Sequence, residues 1–283
     1  MPPAPHTAIL KRFNCTAPVF VTQTPIATIW RVTRDCGGDA ALKLYTDGNM
    51  QDEAPGFALQ AAWNGKGAAY LYDQTEGAVL LEWLSGPSLG DMVRAGDEAA
   101  ATQHLGRVAM ALHETPVSLD LPPLADEFAA LLTAGCAADC PNEVRHIVGQ
   151  AQAFARTLLS TQTDPRPLHR DLHHDNIKGS ARGFLAFDAK GCIGDRTYEL
   201  ANAFRNPIGC DAVFSDPRVI ANRLDTWSQA FAVDRKRLLS WAFAHIGLSN
   251  AWANGGRFDA HSLTQDPGGF AFARQASALL NDA

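Results

Sequence analysis

The stretch His169-Arg170-Asp171-Leu172-His173-His174-Asp175-Asn176 constrains this chain more tightly than any other part of it. From Leu168 to Asp188 short extended runs alternate with His, Asp, Asn and Gly, a pattern too polar for core and too apolar for linker. Asp188 closes the next apolar run, in Phe184-Leu185-Ala186-Phe187-Asp188-Ala189-Lys190-Gly191. A loop followed by a strand brings Asp171, Asn176 and Asp188 together. An aspartate can take the proton of a hydroxyl, and Asn and Asp are hard oxygen donors suited to a divalent cation. The same segment also admits a zinc or other metal site built from His169, His173, His174 and Asp175, since histidine clusters are common ligands. No Cys or distant carboxylate completes that site at a recognisable spacing. His169 also reads, on its own, as a brace for the loop backbone.

Upstream, Val19 to Val21, Ile26 to Arg34, Ala40 to Tyr45 and Ala78 to Trp83 are β-rich runs separated by Thr, Gly and Asp turns. Between them, Asp52 to Trp63 predicts a helix whose stripe of Ala54, Phe57, Ala58, Ala61 and Ala62 packs on the sheet. After Ser85-Gly86-Pro87 the pattern turns helical, with one stripe at Ala101, Leu105, Val108 and Leu112 and another at Leu238, Trp241, Ala242, His245 and Leu248. A small α+β lobe followed by a mainly helical one is the expected organisation, with the boundary between Leu84 and Leu89.

With 46% hydrophobic and 19% charged residues, the chain has the composition of an ordinary globular protein. Its net charge of -6 offers no basic face for a phosphate backbone, so nucleic acid is not an expected partner. A cationic small substrate suits that balance better. The six cysteines are scattered without zinc-site spacing and read as reduced thiols, most of them buried. The N-terminal segment has no basic stretch followed by an apolar run, and nothing approaches the roughly 18 apolar residues of a membrane span. The expected location is therefore cytoplasmic, with no membrane and no obligate protein partner.

Asp171, Asn176 and Asp188 fit the kinase catalytic loop, in which the first Asp faces the acceptor hydroxyl and the other two hold metal. Five specified positions match by chance on the order of once in ten thousand chains of this length, at roughly one in twenty per position. Ala40-Ala41-Leu42-Lys43-Leu44-Tyr45 places a lysine inside an otherwise apolar strand, where a charge needs a partner or a ligand. Of Asp52 and Glu53 on the following helix, Glu53 is the expected partner, holding Lys43 toward the α- and β-phosphates. Taken alone, Lys43 also reads as an edge-strand lysine. Glu82 and Leu84, where the lobes meet, are expected to bind adenine through their main chain, although a plain buried strand reads equally well there. No Gly-x-Gly-x-x-Gly precedes Lys43. A hairpin over Thr22-Gln23-Thr24-Pro25-Ile26-Ala27-Thr28 stands in its place and can reach phosphates through backbone N–H and hydroxyl groups, which weighs against a protein kinase.

With these residues placed, the chain resembles the aminoglycoside phosphotransferase superfamily, and within it the branch of streptomycin 6-kinase and hydroxyurea phosphotransferase. The resemblance rests on Leu168-His169, Asp171 through Ile177, Phe187 through Gly191, Gly194-Asp195, Tyr198 through Asn202 and Arg205-Asn206-Pro207, with weaker matches at Lys43, Glu53 and Glu82 to Leu84. It implies an α+β, protein-kinase-like bilobal fold. A small antiparallel-sheet lobe with one helix would span residues 1–84 and bind nucleotide; a larger helical lobe over 85–283 would hold the catalytic loop and the acceptor site. It further implies ATP- and Mg2+-dependent O-phosphorylation of a small hydroxylated molecule, an aminoglycoside or related amino-sugar. Asp171 would be the base, Asn176 and Asp188 the metal ligands, and Lys43, Glu53, Glu82 and Leu84 the nucleotide-site residues. The family's loop often has Gly where this chain has Arg170 and Pro where it has Ala189, which alters the approach of the acceptor. Asp195 and Glu199 are expected to support the loop from below, because buried carboxylates need partners. The lack of an Ala-Pro-Glu element and of a long activation segment argues against a protein substrate. Two alternatives remain: a metabolic kinase for a sugar, choline-like alcohol or homoserine, and a nucleotide-binding pseudokinase acting as a regulatory module. Retention of Lys43, Asp171, Asn176 and Asp188 weighs against the second.

Overall fold

The computed structural model describes residues 2–50 and 53–281. Asp52 therefore lies outside the described residues. Helix α1 (Thr7–Arg12) leads into β1 (Cys15–Gln23), β2 (Ala27–Arg34) and β3 (Asp39–Tyr45), followed by α2 (Ala54–Trp63), β4 (Leu71–Thr75) and β5 (Ala78–Glu82). The strands pair antiparallel into one sheet in the order β1-β2-β3-β5-β4. Strand β4, Leu71-Tyr72-Asp73-Gln74-Thr75, escapes sequence reading because Asp and Gln carry little β propensity; its partner β5 selects it.

Alternation along β3 sends Ala40 and Leu42 to one face, in a cluster with Trp30, Val32, Ala78 and Leu80. The opposite face carries Lys43, and there Ala27, Tyr45, Val79 and Leu81 meet Phe57 of α2. Since β3 is the middle strand of the sheet, Lys43 is not an edge lysine.

Helix α2 corrects the expected stripe. Of the predicted residues only Phe57 is buried; Ala54, Ala58, Ala61 and Ala62 are exposed, and the buried face is Gly56, Phe57, Leu59, Gln60 and Trp63. Leu59 and Trp63 belong to the core of the helical part, so α2 bridges two cores instead of lying flat on the sheet. The reason is at Gly56, where a Cβ would come within 1.7 Å of the Ala189 carbonyl oxygen. Gly191 answers from the other side: its φ is 77°, and a Cβ there would lie 2.8 Å from Pro55. Bare backbone against bare backbone thus couples the start of α2 to residues 189–191.

The remainder comprises α3 (Leu89–Arg94), α4 (Glu98–Glu114), α5 (Leu124–Leu132), β6 (Gly135–Cys136), α6 (Asn142–Ser160), β7 (Pro165–Leu168), β8 (Ile177–Ser180), β9 (Gly183–Ala186), β10 (Cys192–Asp195), α7 (Asp211–Phe214), α8 (Pro217–Phe231), α9 (Arg235–Ala253), β11 (Arg257–Phe258), α10 (Ser262–Gln265) and α11 (Pro267–Asn281). The short strands form three pairs, β7 with β10, β8 with β9 and β6 with β11. Helix α9 is buried continuously from Leu238 to Leu248, beyond the single stripe its sequence suggests, because α5, α6, α8 and α11 all pack on it. The cysteines are less buried than expected: Cys15, Cys140 and Cys192 are buried, Cys136 and Cys210 half-buried, and Cys36 exposed.

Gly56→Ala is expected to destabilise the protein by about 1–3 kcal/mol through overpacking. Thermal unfolding tests this: a melting temperature equal to that of the parent would show that the backbone contact yields without cost.

Candidate active site

Glu53 immediately precedes helix α2, and this placement brings a carboxylate under the central strand. Lys43 Nζ lies 2.5 Å from Glu53 Oε2 and 2.8 Å from Asp188 Oδ1. The Tyr45 hydroxyl also donates to Glu53 Oε2, and Lys190 Nζ reaches Glu53 Oε1 at 2.5 Å. Lys43 and Glu53 are both buried, so each charge is affordable only because it is paired. Burial pushes the Asp188 carboxyl up, but the Lys43 and Lys190 ammonium groups outweigh that and hold it below the usual carboxylate range. Asp188 has a φ of 62°, a left-handed conformation that L side chains rarely adopt.

The catalytic-type loop runs from β7 into β8. The β8–β9 hairpin pairs Ile177 with Ala186, and Phe187 N donates to Asn176 O at 3.0 Å, so the loop's end and the approach to Asp188 lie side by side. Asn176 Nδ2 donates to Asp171 O at 3.0 Å and to Asp171 Oδ2 at 3.2 Å. Asn202 Nδ2 donates to the other carboxylate oxygen, Asp171 Oδ1, at 2.8 Å. Asp175 is taken by Arg94 in a two-pronged pair at 2.8 and 2.9 Å.

The loop is braced from within and below. His169 Nε2 lies 3.0 Å from Phe187 O, its ring stacks on Trp63, and its backbone N–H donates to Glu199 Oε2 at 3.0 Å. Glu199 also meets His113 at 2.9 Å. Asp195, expected to act likewise, has its bonds elsewhere: it accepts from Thr197 N and Thr163 N and pairs with Arg237. Arg170 adopts a φ of 71°, in the region that favours glycine, and its guanidinium is held by Glu127 at 2.8 Å. The pair with Glu127 fixes the Arg170 side chain while its backbone takes this conformation. His173 and His174 diverge: His173 Nδ1 accepts from Asp175 N, whereas His174 is buried with its ring against Trp227. Among the described residues no group of three or more His, Cys, Asp or Glu is gathered to hold a metal, so the histidine-based site has no geometric support.

A cleft of about 400 Å3 opens between the sheet and the loop. Val21, Ile29, Ala41, Leu81, Leu84 and Phe187 give it apolar walls, Thr22 and Thr24 come from the β1–β2 hairpin, and Lys43 and Asp188 stand at its charged part. An apolar slot ending in charge suits a flat ring bearing phosphates. Glu82 and Leu84 both line it. The Glu82 side chain turns to Tyr70 N and Arg182, and its N–H is given to Tyr70 O at 2.8 Å, so any main-chain contribution from Glu82 falls to its carbonyl. Lys43, Glu53 and Asp188 therefore meet directly, and Asp171 meets Asn176. Sequence reasoning missed Tyr45, Lys190 and Asn202. Lys190 had a signal, its position two residues after Asp188.

The family model for aminoglycoside/hydroxyurea antibiotic resistance kinases matches residues 12–256. The chain belongs to this family. A streptomycin 3''-kinase from Klebsiella pneumoniae is 35% identical over 214 residues, covering 72% of this chain and 76% of that protein. This member of the family is thus a small-molecule kinase, as its sequence implied. Its fold is kinase-like: a thermostable mutant of aminoglycoside phosphotransferase APH(4)-Ia, solved with ADP and hygromycin B, superposes with a TM-score of 0.64 at 11% identity, covering 98% of this chain and 97% of that one. Amicoumacin kinase hAmiN, solved with AMP-PNP, Ca2+ and Ami, gives a TM-score of 0.62 at 15% identity, covering 98% and 93%.

Three imidazoles are buried at the loop, His169 and His174 within it and His245 on α9 behind it. Burial lowers His169; burial, with Arg223 next, lowers His174 strongly; burial, with Arg205 next, brings His245 to about 3. Unfolding restores the ordinary value near 6.5, so the unfolded chain takes up protons first. These groups leave stability unchanged above about pH 6.5 and reduce it as pH falls below that, by up to about 1.4 kcal/mol per pH unit for each ring. Urea midpoints at pH 7 and pH 5 test this, and equal midpoints would contradict it.

Proposed function

We propose that this kinase transfers the γ-phosphoryl group of ATP, with Mg2+, to a hydroxyl of an aminoglycoside or related amino-sugar. The observation that supports the reading is the Lys43–Glu53–Asp188 cluster, with Lys43 and Asp188 lining the cleft, beside the Asp171–Asn176 pair that the Phe187 N–H to Asn176 carbonyl bond holds next to Asp188. The names of its relatives support the acceptor class: streptomycin 3''-kinase by sequence, and an enzyme solved with hygromycin B by fold. The nucleotides and the divalent cation in the related structures support the cofactors.

The donor set fits a hard cation. Asn176 faces two acceptors on Asp171, which requires its amide nitrogen there and leaves Oδ1 as the atom available to a metal. Asn176 and Asp188 would hold Mg2+, which when bound neutralises charge on the nucleotide phosphates. Lys43, steadied by Glu53, would hold the α- and β-phosphates, and the carbonyl of Glu82 with the main chain of Leu84 would take the adenine edge. Asp171 would accept the proton of the acceptor hydroxyl as its oxygen bonds to the γ-phosphorus and the bond to the ADP oxygen breaks. The nucleotide lobe would be residues 1–84 and the acceptor lobe 85–283. Among the described residues no helix is long and apolar enough to cross a membrane, which is compatible with action in the cytoplasm.

ADP release with MgATP, measured against streptomycin, other aminoglycosides, simple sugars and amino alcohols, tests the reading; turnover confined to the last two classes would move it to a metabolic kinase. Asp171→Ala should lower kcat by about a hundred- to ten-thousand-fold with ATP binding nearly intact. Asp188→Ala should change the Mg2+ dependence of turnover, and an unaltered dependence removes that ligand.

A further inference from the structure

We propose that Tyr198, His245 and Asn202 form a one-directional hydrogen-bond chain that orients the Asp171 carboxylate, making Asn202 and, through it, the other two positioning residues for phosphoryl transfer. The proposal rests on the reading of Asp171 as the base. Tyr198 Oη lies 2.8 Å from His245 Nδ1, His245 Nε2 lies 3.0 Å from Asn202 Oδ1, and Asn202 Nδ2 lies 2.8 Å from Asp171 Oδ1. Asn206 Nδ2 donates to the same Asn202 Oδ1 at 3.0 Å.

The direction follows from what each atom can do. An ionised carboxylate only accepts, so Asn202 must present its amide nitrogen to Asp171 and its carbonyl oxygen to His245. A carbonyl oxygen cannot donate, so the ring N–H of His245 sits on Nε2. A neutral imidazole has one N–H, which leaves Nδ1 an acceptor and makes the Tyr198 hydroxyl the donor. Burial keeps His245 neutral, in agreement with this tautomer. Tyr198 and His245 are buried, Tyr198 among Phe128 and Trp241, so the far end of the chain is anchored in the helical core. Asp171 lies on a loop; its Oδ2 meets Asn176, and its Oδ1 is tied through Asn202 to α9.

A reversed ring would turn Nε2 into an acceptor facing Asn202 Oδ1. The amide would then lose a donor and could rotate its oxygen toward Asp171, repelling the carboxylate. Loss of the Tyr198 hydroxyl leaves Nδ1 without its donor and the ring held at Nε2 alone, so Asn202 is less firmly placed and the change should be felt at the reacting atoms, although the side chain itself touches no substrate.

The test uses the full chain with MgATP and streptomycin as the acceptor probe. Asn202→Ala should lower kcat about 10- to 100-fold with KM for ATP nearly unchanged, and Tyr198→Phe, which keeps the ring, about 3- to 10-fold. Tyr198→Phe should add nothing in the Asn202→Ala background, since the chain is already cut. Correlation of ring nitrogens and carbon-bound protons by NMR should show the Nε2–H tautomer of His245 in the parent, kept in Tyr198→Phe because Asn202 Oδ1 still takes that proton, with the Nδ1 resonance shifted by loss of its hydrogen bond. Turnover lost in Asp171→Ala but unchanged in Asn202→Ala overturns the chain while leaving the base in place. Additive effects of the two substitutions overturn it as well, and so does an Nδ1–H tautomer, whatever acceptor the enzyme uses. Turnover indifferent to Asp171→Ala overturns the assignment of the base and the chain's purpose with it.

Discussion

Two ammonium groups and two carboxylates share one partly buried volume in this protein. Lys43 touches Glu53 and Asp188, and Lys190 takes the remaining oxygen of Glu53. Burying any one of these charges alone would cost several kcal/mol, so the cluster forms as a unit. Its members come from the central strand, the start of α2 and the segment after β9. The cluster therefore requires the sheet and the helical part to meet in one arrangement. The close approach of Gly56 to Ala189 and of Gly191 to Pro55 is the steric counterpart of that requirement. A side chain larger than hydrogen at either glycine would push Glu53 away from the lysines.

The second half of the site is organised differently. Asp171 is half-buried, and its oxygens accept hydrogen bonds from neutral amides, Asn176 and Asn202, with no lysine or arginine on them among the described residues and the His173 ring more distant at 3.8 Å. An ammonium on the same oxygens would compete with an incoming hydroxyl for the negative charge, whereas amide donors orient the carboxylate and leave it able to accept a proton. The Phe187 N–H to Asn176 carbonyl bond, the His169 ring on Phe187 O and the His169 N–H on the Glu199 carboxylate keep this half in register with Asp188. In the proposed reading, a phosphoryl donor would be held by one half and the acceptor would face the other, which is what a positioning-dominated reaction needs.

Much of this was legible in the chain. Asp171, Asn176 and Asp188 announce themselves because polar residues at a strand-loop-strand junction have no structural reason to be so spaced, and Lys43 because a lysine stands inside an apolar strand. Helix α2 was misread for a physical reason: alanine is compatible with either side of a helix, so a run of alanines cannot report which face is buried. Gly56 and Trp63, which do report it, were outvoted. Strand β4 was invisible because its pairing with β5, and not its own composition, makes it a strand. Family resemblance supplied the acceptor class that no residue pattern could.

Local chemistry in the sequence determined the fold class, the kinase-like loop and the residues proposed to hold phosphate, metal and proton, because those depend on residue type and short spacing. Tertiary structure decided that Glu53 is shared by two lysines, that Arg170 pairs with Glu127, and that Asn202, distant from the loop in sequence, meets the Asp171 carboxylate. Each of these is a contact between segments far apart along the chain. Its partner is set by how helices and strands pack, and side-chain packing leaves no mark in the local order of residues.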